Sequence, residues 1–200
     1  MIMAATVEMD MFVGEPVRRM TRAEYEQLAG DDFFGDQRVE LLFGVVVEVS
    51  PAKPPHGESV YELHRCLERA LRGRARVRPQ LPFAADDHSE PEPDIAVVSD
   101  QAYWKNHPSR AFLIVEVAHT SQRRDRGLKA RLYATTAVDE YWIVDVKEEV
   151  VEVYRDARDG EWQTKTTHRR GDVIAPRAFP DALVPVAEIL PPLTGPAGES

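Results

Sequence analysis

In the stretch "EPDIAVV" an aspartate stands at the mouth of an apolar run, with Asp94 directly after Pro93 and directly before Ile95, Ala96, Val97 and Val98. A strand that starts this way carries a negative charge to the lip of a core. Further along, "AFLIVEVA" places an acid inside such a run. Strict alternation puts Phe112, Ile114, Glu116 and Ala118 on one face and Leu113, Val115 and Val117 on the other, so Glu116 has apolar neighbours either way. An ionised carboxylate buried alone costs on the order of several kcal/mol, so Glu116 calls for a cation, a metal or a proton nearby. A salt bridge to an arginine is the plain solution. A second follows if the loop "SDQAYWKNHPSR" folds the two strands into an antiparallel hairpin, which brings Asp94 and Glu116 to one end. Two carboxylates that close stay charged only with a cation between them. A divalent metal with oxygen ligands meets that need, because Mg²⁺ takes one or two carboxylates with waters and substrate phosphates completing its shell.

The next segment, "SQRRDRGLKARLY", sets Asp125 and Lys129 four residues apart on one face of a helix that leaves the Glu116 strand. As an exposed ion pair this spacing contributes only about 0.3–0.5 kcal/mol. As a lysine delivered beside two acids, it supplies the cation that metal-assisted phosphodiester hydrolysis needs to stabilise charge at phosphorus.

These residues must be positioned by elements, and the chain reads as a mixture of them. "TRAEYEQLA" opens a helix with Thr21 as N-cap and Glu24 completing a capping box. "RVELLFGVVVEVSP" reads as two strands pivoting on Gly44. "HGESVYELHRCLERALRG" has Val60, Leu63, Leu67, Ala70 and Leu71 at helical spacing and stops at Gly73. Strands follow in "ARVRPQLPFAA", "DIAVV" and "AFLIVEVA". Next comes a helix in "RDRGLKARLYATT" with Leu128 and Leu132 turned inward, then strands in "EYWIVDV", "VVEVYRD" and "EWQTKTTH". The sum is an α/β (α+β) domain, a mixed central sheet with one helix packed on each side.

Composition narrows the function classes. With 200 residues, 43% of them hydrophobic, the chain fits one domain with a sizeable core. No apolar run approaches the roughly 18–20 residues that span a bilayer, so no membrane is expected. The N-terminal stretch lacks the basic start of a secretory signal. The single cysteine, Cys66, allows no internal disulfide and no cysteine-built metal site. It falls in line with Leu63 and Leu67, as a buried structural thiol would, and a cytoplasmic location is expected. The net charge of −9 argues against a polyanionic partner. The arginines at 65, 69, 72, 74, 76 and 78, and the basic residues of "SQRRDRGLKAR", leave room for local basic patches, although a charge run is more often a solvated face.

Taken together, "VELLFGVVVEVSPAKPPHG", "EPDIAVV" and "FLIVEVAHTSQRRDRGLKARLYATTAVDEYWIVDVKEEVVEVYR" resemble the Uma-two family of the restriction-endonuclease-like, PD-(D/E)XK superfamily, over roughly residues 17–190. The resemblance implies a restriction-endonuclease-like core, with residues 1–16 an N-terminal extension and 191–200 a flexible tail. It makes Asp94 the aspartate of "PD" and Glu116 the acid of "(D/E)XK", both metal ligands. The chain departs from the superfamily pattern two residues after Glu116, where Ala118 replaces lysine. In the Uma-two family the lysine looks relocated to the following helix, which here is Lys129, with Asp125 one turn earlier. The pattern also takes in Glu40, as a third ligand or an acceptor of the water's proton, and His56. The plain alternatives for those two are a salt-bridged strand acid and a helix-capping histidine.

The expected function is a Mg²⁺- or Mn²⁺-dependent DNA endonuclease with Asp94, Glu116, Lys129 and Glu40 as catalytic residues. Arg123 and Arg124 are expected at phosphates, and the active form is expected to be a homodimer paired through the apolar strands "YWIVDV" and "VVEVYR". Two alternatives stay open: a catalytically idle nucleic-acid-binding or transposon-associated module on the same fold, and a hydrolase or interaction protein that touches no nucleic acid.

Overall fold

The computed structural model describes residues 16–51 and 53–192. The expected extension at 1–16 and tail at 191–200 lie almost wholly outside them. The elements run α1 (Arg22–Gly30), β1 (Val39–Leu42), β2 (Val45–Glu48), α2 (Pro54–Leu71), β3 (Arg76–Pro79), β4 (Ile95–Val98) and β5 (Leu113–Ala118). They continue with α3 (Gln122–Arg124), a π-helical turn (Asp125–Lys129), α4 (Ala130–Ala134), β6 (Glu140–Asp145), β7 (Val150–Arg158) and β8 (Glu161–His168).

Local chemistry explains where these elements begin and end. Thr21 Oγ1 accepts from the Glu24 amide while Glu24 reaches back to the Thr21 amide, the reciprocal capping read from the sequence. The β1–β2 hairpin turns on Phe43 and Gly44, both at positive φ, the two-residue turn whose twist matches the strands. Pro54 and Pro55 occupy the first turn of α2, where no amide partner is lost, and Arg72 and Gly73 in left-handed conformations end it.

Six strands form one mixed sheet in the order β3-β4-β5-β6-β7-β8, antiparallel throughout except for the parallel pair β5–β6 joined by the helical crossover. On one face α2 sends Leu63, Leu67 and Leu71 into a core with Val97, Leu113, Val115, Val117, Trp142 and Val144. On the other, Leu132 and Tyr133 of α4 pack on Ala96, Ile114, Ala118, Tyr141 and Ile143. One helix on each side of a mixed sheet is the expected architecture, and β5 alternates as its sequence does. Phe112 is an exception. It precedes the strand and packs on the α2 face against Phe179.

Two further expectations are corrected, and one reading left open is narrowed. Leu128 is 40% exposed, because the π turn inserts a residue and turns Asp125 and Lys129 inward instead. The strands β6 and β7, expected to offer a pairing edge, are paired on both sides. The free edges belong to β3 and to β8, a polar strand that blunts strand-to-strand association. The arginine run from 65 to 78 is largely spoken for: Arg65 pairs with Glu62, Arg69 with Glu188 and Arg74 with Asp181. Cys66 is buried as expected, and burial with the Glu188 carboxylate pushes its thiol up to about 11. Among the described residues no helix is long and apolar enough to cross a membrane.

Candidate active site

Asp94 sits one residue before β4, and the antiparallel register that pairs Ile95 with Val115 brings it beside the Glu116 end of β5. The Val117 amide donates to Asp94 Oδ2 at 2.8 Å, so the carboxylate is tied to the strand that carries Glu116. His56, in the first turn of α2, places Nε2 3.0 Å from the same oxygen, and Gln80 Nε2 reaches Oδ1 at 3.4 Å. Burial would raise the Asp94 pKa. The His56 ring, the Val117 amide and the Lys129 charge outweigh it and hold the carboxyl below its usual range.

Glu116 points from β5 to the α4 side of the sheet. Its Oε1 accepts from Lys129 Nζ at 2.9 Å and from the Tyr133 hydroxyl at 2.8 Å. Lys129 also donates to Glu40 Oε1 at 3.0 Å, and the Glu92 amide donates to that same oxygen. Glu40 Oε2 is buried with no donor at all. Burial would lower the Lys129 pKa, but Glu116, Glu40 and Asp125 hold it above the usual lysine range, so the ammonium keeps its proton. Burial, reinforced by the charges of Asp94, Asp125 and Glu40 and opposed by Lys129, raises the Glu116 pKa above its usual range. Asp125 is likewise raised by burial, against the pull of Lys129 and of Ser121, whose hydroxyl donates to it.

The π turn is what delivers the lysine. The Ala130 amide bonds to Asp125 O in place of the carbonyl one residue later, and the Tyr141 hydroxyl donates to Asp125 O as well, at 3.2 Å. The wider turn leaves Asp125 and Lys129 1% and 2% exposed, which makes them a buried pair of charges and not the solvated ion pair their spacing alone would allow.

All eight side chains singled out in the sequence, Glu40, His56, Asp94, Glu116, Arg123, Arg124, Asp125 and Lys129, line one cavity of about 430 Å³. The acids form its floor, and Arg38, Lys53 and Arg123 stand exposed at its rim. Arg124 spans the rim to β2, donating to Glu48 O at 3.4 Å, with its Nε buried and unpaired. Gln80, Glu92 and His119 also line the cavity and were not singled out. His119 has no ligand-like spacing although it lies close after Glu116, and Gln80 is delivered by a positive-φ turn after β3 that leaves no periodic signal.

Among the described residues, no three His, Cys, Asp or Glu side chains stand as a ready-made metal cluster. The donor set nevertheless fits a hard divalent cation. Five carboxylates line the cavity around one buried ammonium, that of Lys129, one buried oxygen of Glu40 has no partner, and such an ion needs only one or two carboxylates beside water and phosphate.

The sequence matches the Uma2 family, described as "Putative restriction endonuclease", over residues 22–187. The chain belongs to the Uma2 family. As an Uma2 protein it shares its fold with a crystal structure described as "a putative nuclease belonging to DUF820" from Anabaena variabilis, at 16% identity and a TM-score of 0.64, over 80% of this chain and 95% of the other. That likeness shows a shared α/β fold. The type IIG restriction endonuclease BpuSI overlaps it at a TM-score of 0.38 and 18% identity, over 56% of this chain and 14% of that one. No curated protein matches the sequence.

Proposed function

We propose that this Uma2 protein is a divalent-metal-dependent DNA endonuclease, with Asp94 and Glu116 holding Mg²⁺ or Mn²⁺. The observation that carries the reading is the convergence of Asp94 and Glu116 from neighbouring antiparallel strands, with the buried Lys129 ammonium held 2.9 Å from Glu116. A bound cation supplies charge neutralisation at the phosphate and eases ionisation of an attacking water.

The chain's own residues do the rest. His56 and the Val117 amide fix the Asp94 carboxylate through Oδ2, leaving Oδ1 with only the long Gln80 contact. Lys129 keeps its proton, so it serves as a fixed donor to negative charge developing on phosphate and not as the base. Glu40 and Tyr133 orient it and Glu116 from behind. The rim cations Arg38, Lys53 and Arg123 meet the flanking phosphates, which reconciles a nucleic-acid substrate with a chain whose net charge is −9.

Plasmid nicking in Mg²⁺, Mn²⁺ and chelator tests the reading. Cleavage should require metal, and Asp94→Asn, Glu116→Gln and Lys129→Ala should each remove most of it, without additive losses. Cleavage that persists in chelator or in Glu116→Gln overturns the mechanism. Binding without cleavage in any metal favours the idle nucleic-acid-binding module.

A further inference from the structure

At the far end of β4 from Asp94, residues 99–110 form an irregular connection to β5 that presents Trp104 94% exposed to solvent. The chain's other tryptophans behave differently. Trp142 is fully buried, and Trp162 is packed with its Nε1 donating to Ala130 O. Burying an aromatic ring is among the larger favourable contributions a side chain makes, and Trp104 forgoes it. The loop around it is nonetheless anchored. Tyr103 packs on the core with its hydroxyl on Ser99 O, and Pro108 is buried with its carbonyl accepting from the Ala84 amide at 2.9 Å.

Cations gather around this loop, where Arg76 and Arg110 are paired with Asp100 and Asp139 and two others are not paired. The Arg78 guanidinium lies 5.1 Å over the Tyr103 ring. Arg78 is 8% exposed, its Nε is buried without an acceptor, and it has no carboxylate partner among the described residues. A desolvated guanidinium with no counter-charge is costly, and an anion brought to it would relieve that cost. Lys105, next to Trp104, also lacks a carboxylate partner among the described residues. Burial and the Arg78 charge hold the His107 imidazole below its usual range. Tyr103, Trp104, Lys105 and His107 line a cavity of about 450 Å³. An exposed π face beside unneutralised cations suits a ligand that is both aromatic and anionic.

We infer that the 99–110 loop is a second nucleic-acid contact, in which Trp104 stacks on an unpaired base and Lys105, backed by Arg78, meets the neighbouring phosphate. Every base has a π face, so this contact is indifferent to sequence and favours single strands, whose bases are free to stack. The four residues of β4 separate it from Asp94 by about 13 Å along the strand. The loop therefore touches nucleotides other than the one in the acidic cavity. The identity of the ligand rests on the nuclease reading above, but its binding is measured apart from cleavage.

The test is fluorescence anisotropy in chelator with a labelled single-stranded oligonucleotide and the duplex of the same sequence, on the whole chain. Trp104→Ala should weaken single-strand binding roughly 5- to 150-fold, the range measured for loss of one base–aromatic stack. Trp104→Phe should keep most of it, Lys105→Ala should weaken it and flatten its salt dependence, and duplex affinity should change less. Because Trp104 is exposed, the melting temperature should be unchanged. Single-strand affinity unchanged in Trp104→Ala overturns the inference. So does a dimer that Trp104→Ala splits without altering DNA binding, which would give the ring to a second copy of the chain. Metal-dependent cleavage with Trp104-independent binding removes this contact alone. Trp104-dependent binding without cleavage in any metal removes the nuclease reading alone.

Discussion

Lys129 comes from the π turn of the crossover and Glu116 from β5, yet the lysine Nζ lies 2.9 Å from Glu116 Oε1 with both side chains buried. The lysine is the only ammonium within bonding reach of Glu116 and Glu40 among the described residues. Removing one partner of such a buried pair leaves the other uncompensated, at a cost of about 3–5 kcal/mol. Lys129→Met should therefore destabilise the fold by about 3 kcal/mol in urea unfolding, since protonation of a carboxyl relieves part of the loss. Adding Glu116→Gln to that variant should cost less than the sum of the single changes. Strict additivity would show that the pair does not interact in solution.

The excess of carboxylates in the cavity predicts that metal stabilises the protein. A ligand at a hundred times its dissociation constant adds about 2.7 kcal/mol, which in a chain of this size raises the melting temperature by about 5–10 °C. Mn²⁺ should produce that shift in the wild type and not in Asp94→Ala. An equal shift in the variant would place the ion elsewhere.

Glu90 gives the stability a pH dependence away from the active site. Its carboxyl is buried beside Glu26 and lies 3.7 Å from Arg22, and burial first, then Glu26, pushes it up to about 7 from an ordinary 4.5. The folded protein therefore holds a proton that the unfolded chain has released, so stability should fall as pH rises from about 4.5 to about 7 and level off above. Glu90→Gln should flatten that decline and leave the protein more stable than wild type at pH 8. Parallel urea midpoints for the two proteins at pH 5 and 8 would count against it.

Gly44 is required by its turn. Its φ is +77°, and an added Cβ would stand 2.5 Å from the Arg19 Cβ, against a segment whose Met20 amide donates to Gly44 O. Gly44→Ala should cost about 1–2 kcal/mol for the left-handed conformation alone, with the overlap adding to it, and thermal melting measures the sum. A loss under about 0.5 kcal/mol would mean that the hairpin shifts freely.

Much of the architecture was legible in one dimension because it rests on local rules. Alternation in "AFLIVEVA" gave the two faces of β5, the Thr21–Glu24 pair gave the start of α1, and the 3.6-residue spacing of Leu63, Leu67 and Leu71 gave the buried stripe of α2. The acids were legible as well, because a carboxylate in an apolar strand contradicts its surroundings and so announces a partner. What the partner would be was beyond any local rule. Asp125 and Lys129 read equally well as a solvated ion pair, and only a π turn, held by Tyr141 from the neighbouring strand, turns both inward and leaves Leu128 outside. His56 meets Asp94 only once α2 has packed on the sheet, and β6 and β7 lose their edge only when β8 pairs beyond them. Residue types and spacings determined which groups could react. Strand order and one widened helical turn decided which of them meet, because those depend on contacts between segments far apart in the chain.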